Sequence, residues 1–230
     1  MRRFAVLLAH DLRLLRRYGI IYAYSVVVVM YAAGLFFAGQ YLPDWAIGVM
    51  IYSDPAVLGF FFLGAMMLLE RAEGPRLALA VTPVSGRDYV LSKALALTVL
   101  ALLAVLVLGL LAPHAQLGIL LVGVALTSGC YIGLGILAGL RFRTVGSYLM
   151  GSAAVLTPLI VLGALAFINP MPGWAMLVPP AAQLRLVLVG IGAAEAGLAE
   201  LAALFAMALA SAILALWVGI RAMDRQMGAG

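Results

Sequence analysis

The uncharged run ALALTVLALLAVLVLGLLA (residues 94–112) decides what kind of protein this is. A helix rising about 1.5 Å per residue carries such a run across a hydrocarbon core of about 30 Å. Outward from this block, five further apolar blocks repeat the pattern, so six spans are expected at about 18–39, 55–70, 90–112, 117–140, 147–168 and 201–221. The whole chain agrees, since 66% of its 230 residues are hydrophobic and 10% are charged. Soluble domains run nearer 45–50% apolar and about 25% charged, so this chain has too little polar surface to cover itself. The expected fold is an all-α integral membrane protein forming one transmembrane domain over residues 1–230. The short loops leave no room for a soluble catalytic domain or a nucleotide-binding fold.

Charge placement orients the spans. If six spans alternate, basic residues at 2, 3, 13, 16, 17, 71, 76, 87, 93, 141, 143, 221 and 225 share one side, and only Arg185 falls on the other. Basic residues favour the cytoplasmic side, which puts both termini in the cytoplasm and the chain in the cytoplasmic membrane. No basic run is interleaved with aromatics, so no nucleic-acid partner is expected. Cys130, the single cysteine, lies in an apolar block and reads as a small core residue. His10 and His114 fall on opposite sides and cannot share a metal ion.

Residues 2–17 are apolar on one helical face (Phe4, Leu7, Leu8, Leu12, Leu14, Leu15) and basic on the other. That pattern suits a helix lying in the membrane interface. Asp11 falls near the middle of the apolar face. It either pairs with an arginine or a helix N-terminus, or it snorkels to water. Further on, Ser53-Asp54-Pro55 reads as a helix start, with Asp54 as the cap of the second span in a loop containing Pro43 and Trp45.

The second span runs into Glu70-Arg71-Ala72-Glu73-Gly74-Pro75-Arg76, followed by a half-apolar stretch, Thr82-Pro83-Val84-Ser85, and then Tyr89 and Lys93. Gly74-Pro75 stops a helix and Thr82-Pro83 turns the chain back. A charged helix end, a break and a small amphipathic helix suit docking to a soluble partner. They also suit a plain solvated hairpin.

This arrangement resembles the permease subunit of type-2 ATP-binding-cassette exporters: an acid–base pair ending span two, a glycine, mixed residues, then Thr-Pro-Val-Ser and a downstream lysine. Tyr52-Ser53-Asp54-Pro55 through Leu63-Gly64, running into Leu68-Leu69-Glu70-Arg71, also looks like permeases labelled fluoroquinolone-type exporters. The resemblance covers essentially the whole chain, with one departure at Pro75, where the family usually has threonine. It implies a non-catalytic subunit, because no G-x-x-x-x-G-K-[ST] loop occurs here. ATP and Mg would sit on a separate cytoplasmic ATPase, and a second permease, identical or paralogous, would complete the unit in contact with membrane lipid. The family's coupling helix would fall on residues 73–85 within a coupling loop at 70–89. Glu70, Arg71, Glu73, Gly74, Arg76, Thr82, Pro83 and Ser85 are its expected coupling residues. The resemblance also implies a pathway and subunit interface lined by spans one, two and five. On those spans, Tyr22, Tyr24, Ser25 and Phe60 are expected to line it, together with Phe61, Phe62, Met66 and Met67; core or lipid-facing packing is the alternative for each.

Gly129-x-x-x-Gly133 and Gly135-x-x-x-Gly139 in span four allow close helix approach, within the chain or at a subunit interface. Thr157-Pro158 is expected to kink span five. The Pro-rich segment 169–200 reads as an external re-entrant or interfacial hairpin with Arg185 facing headgroups or water, and Glu195 and Glu200 as solvated. No expected span carries Asp, Glu, Lys or Arg at its middle. This disfavours an ion-coupled secondary transporter, the main alternative beside a structural assembly subunit. Convergent His, Ser and carboxylates for a membrane enzyme are also missing. The favoured expectation is export of an amphiphilic compound, drug or lipid-like molecule.

Overall fold

The structure, a computed structural model, describes residues 2–72, 85–112 and 114–227. Among these the chain is all-helical, and six helices are long and apolar enough to cross a membrane. They are the helices of a multi-pass membrane protein. Helix α1 (Arg2–Arg17) ends where Gly19 takes a left-handed conformation, φ 73°, and its N–H donates to Arg16 O. A residue with a Cβ resists that backbone, so glycine makes the corner into α2 (Ile20–Ala38). Then follow α3 (Asp44–Ala56), a π-helical segment (Val57–Phe62) and α4 (Leu63–Ala72). The long helices α5 (Gly86–Leu111), α6 (Leu117–Arg141) and α7 (Val145–Gly163) come next. After them lie α8 (Gly173–Met176), α9 (Pro179–Gly190) and α10 (Leu198–Met227).

Local caps set several starts earlier than hydropathy suggests. Ser85 Oγ accepts from Asp88 N at 3.1 Å and donates to Asp88 Oδ2 at 2.8 Å, so α5 begins a turn before residue 90. Thr144 Oγ1 accepts from Ser147 N at 3.2 Å and starts α7 in the same way. The second span departs most from expectation. Its helix begins at Asp44, not Pro55, and continues to Arg71. Ser53-Asp54-Pro55 is therefore not a helix start, and Asp54 is not a cap; both lie inside the rod. Pro55 lacks an N–H, and the π-helical turn begins two residues on, at Val57. A bundle tolerates that local change because neighbouring groups satisfy the freed backbone. In α7 the helix likewise runs through Pro158, while Thr157 Oγ1 donates to Ala153 O at 2.8 Å.

Helix α6 is the hub, and its glycines make it so. A Cβ on Gly133 would lie 2.3 Å from Ala215 C of α10; one on Gly135 would lie 2.4 Å from Gly59 O of the π-helical turn. Gly129 faces Ala212 and Gly139 faces Gly64. The two G-x-x-x-G motifs thus pack opposite sides of one helix within the chain. Around this hub, 65% of the apolar window of the second span is buried, against 17% for α2 and 22% for α7.

Helix α9 is short, about 18 Å for its 12 residues, and everything from Pro180 to Gly190 is buried. Its C-terminal Gly190 O accepts from Gln116 N at 2.7 Å, at the start of α6. Its first residues reach a cavity walled by Cys130, Tyr131 and Leu134, midway along α6. The segment therefore penetrates half the bundle. Arg185 on α9 is 3% exposed, and each of its three nitrogens donates within the chain. Nε bonds Glu200 Oε1 at 3.2 Å, Nη1 bonds Ala166 O at 3.3 Å and Nη2 bonds Glu195 O at 3.3 Å. The expectation that Arg185 faces headgroups or water is wrong, as is a fully solvated Glu200. A guanidinium with three acceptors can be buried where a lone one cannot.

Candidate functional site

Helix α5 presents Tyr89, Ser92 and Lys93 at i, i+3 and i+4, one face of a helix. That face meets Asp11, central on the buried side of α1, and Glu70 near the end of α4. Lys93 Nζ lies 2.8 Å from Asp11 Oδ1 and 2.6 Å from Glu70 Oε1. The second oxygen of each carboxylate is also served: Ser92 Oγ donates to Asp11 Oδ2, and Tyr89 OH donates to Glu70 Oε2 at 2.6 Å. The ammonium sits 4.5 Å from the Tyr89 ring centroid. Lys93 is 1% exposed and both acids are 2% exposed.

Every oxygen and the ammonium have close partners, which lets three charges remain out of water together. Asp11 is thus paired, but its partner is Lys93 and Ser92 rather than an arginine or a helix N-terminus. On α1, Leu14 and Leu15 are buried beside it, whereas Leu12 turns outward at 40% exposure. Next to this node, Arg71 Nη2 donates to Gln226 Oε1 of α10 at 3.1 Å.

The node joins the two flanks of residues 73–84. Glu70 and Arg71 lie just before that segment, and Ser85, Tyr89 and Lys93 lie just after it. Through Asp11 the same node holds α1. Glu73, Gly74, Arg76, Thr82 and Pro83 lie outside the described residues; Glu70, Arg71 and Ser85 lie within them.

The expected pathway residues do not form one surface. Tyr24, Phe60, Met66 and Met67 are core residues at 6%, 1%, 0% and 1% exposure. Phe61 and Phe62 are partly buried against that core. Tyr22 and Ser25 face outward on α2. None of the eight lines the cavity beside Trp45 and Arg185, the one beside Cys130 and Gln183, or the one between α5 and α6. Aromatic and methionine content could not separate these roles, because a helix apolar all round has no moment to orient it.

Where no inner charge was expected, an ionisable side chain lies well inside a candidate span. Asp54 is 4% exposed, ten residues inside the helix Asp44–Arg71, and Tyr24 OH donates to its Oδ2 at 2.6 Å. Tyr24 is 30 residues earlier in the chain, so no local pattern announces the pair. Lys93 was more accessible to sequence reasoning, since Tyr89, Ser92 and Lys93 form a polar stripe at helical spacing.

The chain matches no family model and no curated protein.

Proposed function

We propose that the chain is the membrane-spanning permease subunit of an ATP-driven exporter. A separate cytoplasmic ATPase, holding ATP and Mg, would dock on residues 73–85. A second permease would complete the assembly, and an amphiphilic small molecule, drug or lipid-like compound would cross the cytoplasmic membrane by alternating access. Both termini would lie in the cytoplasm with α1 in the interface, and α8 and α9 would form a re-entrant hairpin from the outer side. Spans one and five keep outward apolar faces for the second permease or lipid; span two, being core, leaves the proposed interface. On this reading the chain catalyses nothing itself.

One observation carries the reading: Asp11, Glu70 and Lys93 clamp both flanks of residues 73–84 to each other and to α1. A solvated linker has no use for three buried charges at its base. A lever does, because a push on the segment then moves α1, α4 and α5 as one body rather than bending their ends. Placing a charge in that segment tests it. Thr82→Glu in the assembled complex is expected to cut cargo-stimulated ATP hydrolysis at least tenfold while assembly persists. Hydrolysis still fully responsive to cargo contradicts the proposal.

Asp54 favours a second reading, an ion-coupled carrier, because buried acids inside spans serve as proton sites in such proteins. Tyr24 gives this acid a structural role as well, tying α2 to α3. The two readings differ in sealed vesicles. On the ATP-driven reading, a pH gradient without nucleotide moves no cargo, and Asp54→Asn leaves the pH profile of ATP-driven transport unchanged. Gradient-driven transport that Asp54→Asn abolishes would establish the carrier instead.

A further inference from the structure

The cavity at the tip of α9 has no role in the coupling just described. It has a volume of about 400 Å³ and lies between α6, α7, α9 and α10. Sites for small molecules fall at roughly 300–1,000 Å³. Its wall is hydrocarbon (Leu159, Pro179 and Val218 among others) except where Gln183, Ser211 and Cys130 meet. Among the described residues, no ionised side chain lines it.

The polar end is unfinished. Ser211 Oγ donates to Ala208 O at 2.9 Å, so its oxygen must face a donor, and Gln183 Nε2 supplies one at 3.1 Å. With the amide in this orientation, Gln183 Oε1 has no partner among the described residues, and Gln183 is 1% exposed. A buried acceptor with nothing to accept is destabilising and uncommon. Water is a poor remedy, because an ordered water needs about two to four polar partners and the rest of this cavity is apolar. A charged guest would be stripped of water without a counter-charge. What fits is a neutral molecule with one hydrogen-bond donor and a hydrocarbon body.

We propose that this cavity is a binding site for an uncharged amphiphile whose hydroxyl or amide N–H donates to Gln183 Oε1 while its apolar body fills the space beneath. The inference does not rest on the ATPase reading and is tested on this chain alone. Cys130 lines the cavity and is the only cysteine, so it reports on occupancy without any mutation. The experiment measures its alkylation by N-ethylmaleimide in the purified full chain, with 1-dodecanol or 1-methoxydodecane added; the ether has an equivalent body and no donor.

The alcohol is expected to slow alkylation at least tenfold, and the ether to need about ten times the concentration, a difference of about 1.4 kcal/mol. In Gln183→Leu the two should protect alike. The assay is run in lipid-free micelles of a sterol-based detergent and in nanodiscs that carry diacylglycerol, an uncharged lipid with a free hydroxyl. Protection by the alcohol in micelles alone identifies a bilayer lipid as the natural guest; protection in both identifies an amphiphile that displaces lipid, and either result upholds the site. Equal potency of alcohol and ether on the unmodified chain, or no protection in either medium, overturns it.

Discussion

Replacing Lys93 by methionine is expected to destabilise the chain by about 3–5 kcal/mol, because it strands Asp11 and Glu70 without their shared cation. The two acids are 2% exposed, so neither can recover its hydration by a small side-chain movement. Ser92 and Tyr89 would still donate one hydrogen bond each, which cannot offset two unpaired carboxylates. Denaturant unfolding in micelles reads the loss directly. The triple variant Asp11→Asn, Glu70→Gln, Lys93→Met separates charge from packing. With all three charges removed, stability should return to within about 1 kcal/mol of the unmodified chain, since a buried ionic cluster adds little over a neutral one. If the single change proves harmless, the three groups are not held together as described. If the triple remains as unstable as the single, packing rather than charge is at stake. On the exporter reading the stable triple has a further consequence: a neutral node is softer, so cargo export per ATP hydrolysed should fall.

The next largest effect is expected at Gly133. The added methyl of Gly133→Ala would meet the Ala215 backbone at 2.3 Å (C) and 2.5 Å (O), well inside contact distance, and a backbone cannot rotate away as a side chain can. Helices α6 and α10 must separate, at a cost at the upper end of the roughly 1–3 kcal/mol seen for overpacking. Gly135→Ala would drive α6 against Gly59 O at 2.4 Å on the other side. Two residues apart on a helix is about 200° of rotation, so the double variant wedges the hub from both sides. Gly118→Ala is the matched control. It lies on the same helix with no described atom within 4 Å of the new methyl, and alanine is the better helix former by up to about 1 kcal/mol. Opposite signs for Gly133→Ala and Gly118→Ala in one unfolding assay would establish that close approach, not glycine content, matters. Matching signs would contradict it.

The six helices were legible because bilayer thickness and run length impose them whatever the tertiary contacts. Glycine spacing on α6 was legible for a related reason: i, i+4 places two small residues on one face, and only the partner helix was unknown. Asp54 was not. Ser53-Asp54-Pro55 is a sound local helix start, and what keeps it inside a helix is Tyr24 on another helix together with the π-helical turn that follows Pro55. Arg185 failed similarly, since its acceptors come from residues 166, 195 and 200 and the Pro-rich surroundings suggested exposure. The node was half visible. Asp11 stood out as a carboxylate on an apolar face, but its cation, Lys93, read only as a charge at the cytoplasmic end of the third span, because hydropathy starts α5 later than the Ser85 cap does.

On the exporter reading, residues 73–84, clamped at both flanks by Asp11, Glu70 and Lys93, receive force from a nucleotide hydrolase. Photo-crosslinking checks this, with p-benzoylphenylalanine placed at Arg76 and the chain kept in its native membranes. An adduct is expected with a cytoplasmic protein that carries a phosphate-binding loop, formed from the inner side only. An adduct pattern without any nucleotide hydrolase, or reaction of position 76 with an impermeant reagent applied outside intact cells, would contradict it.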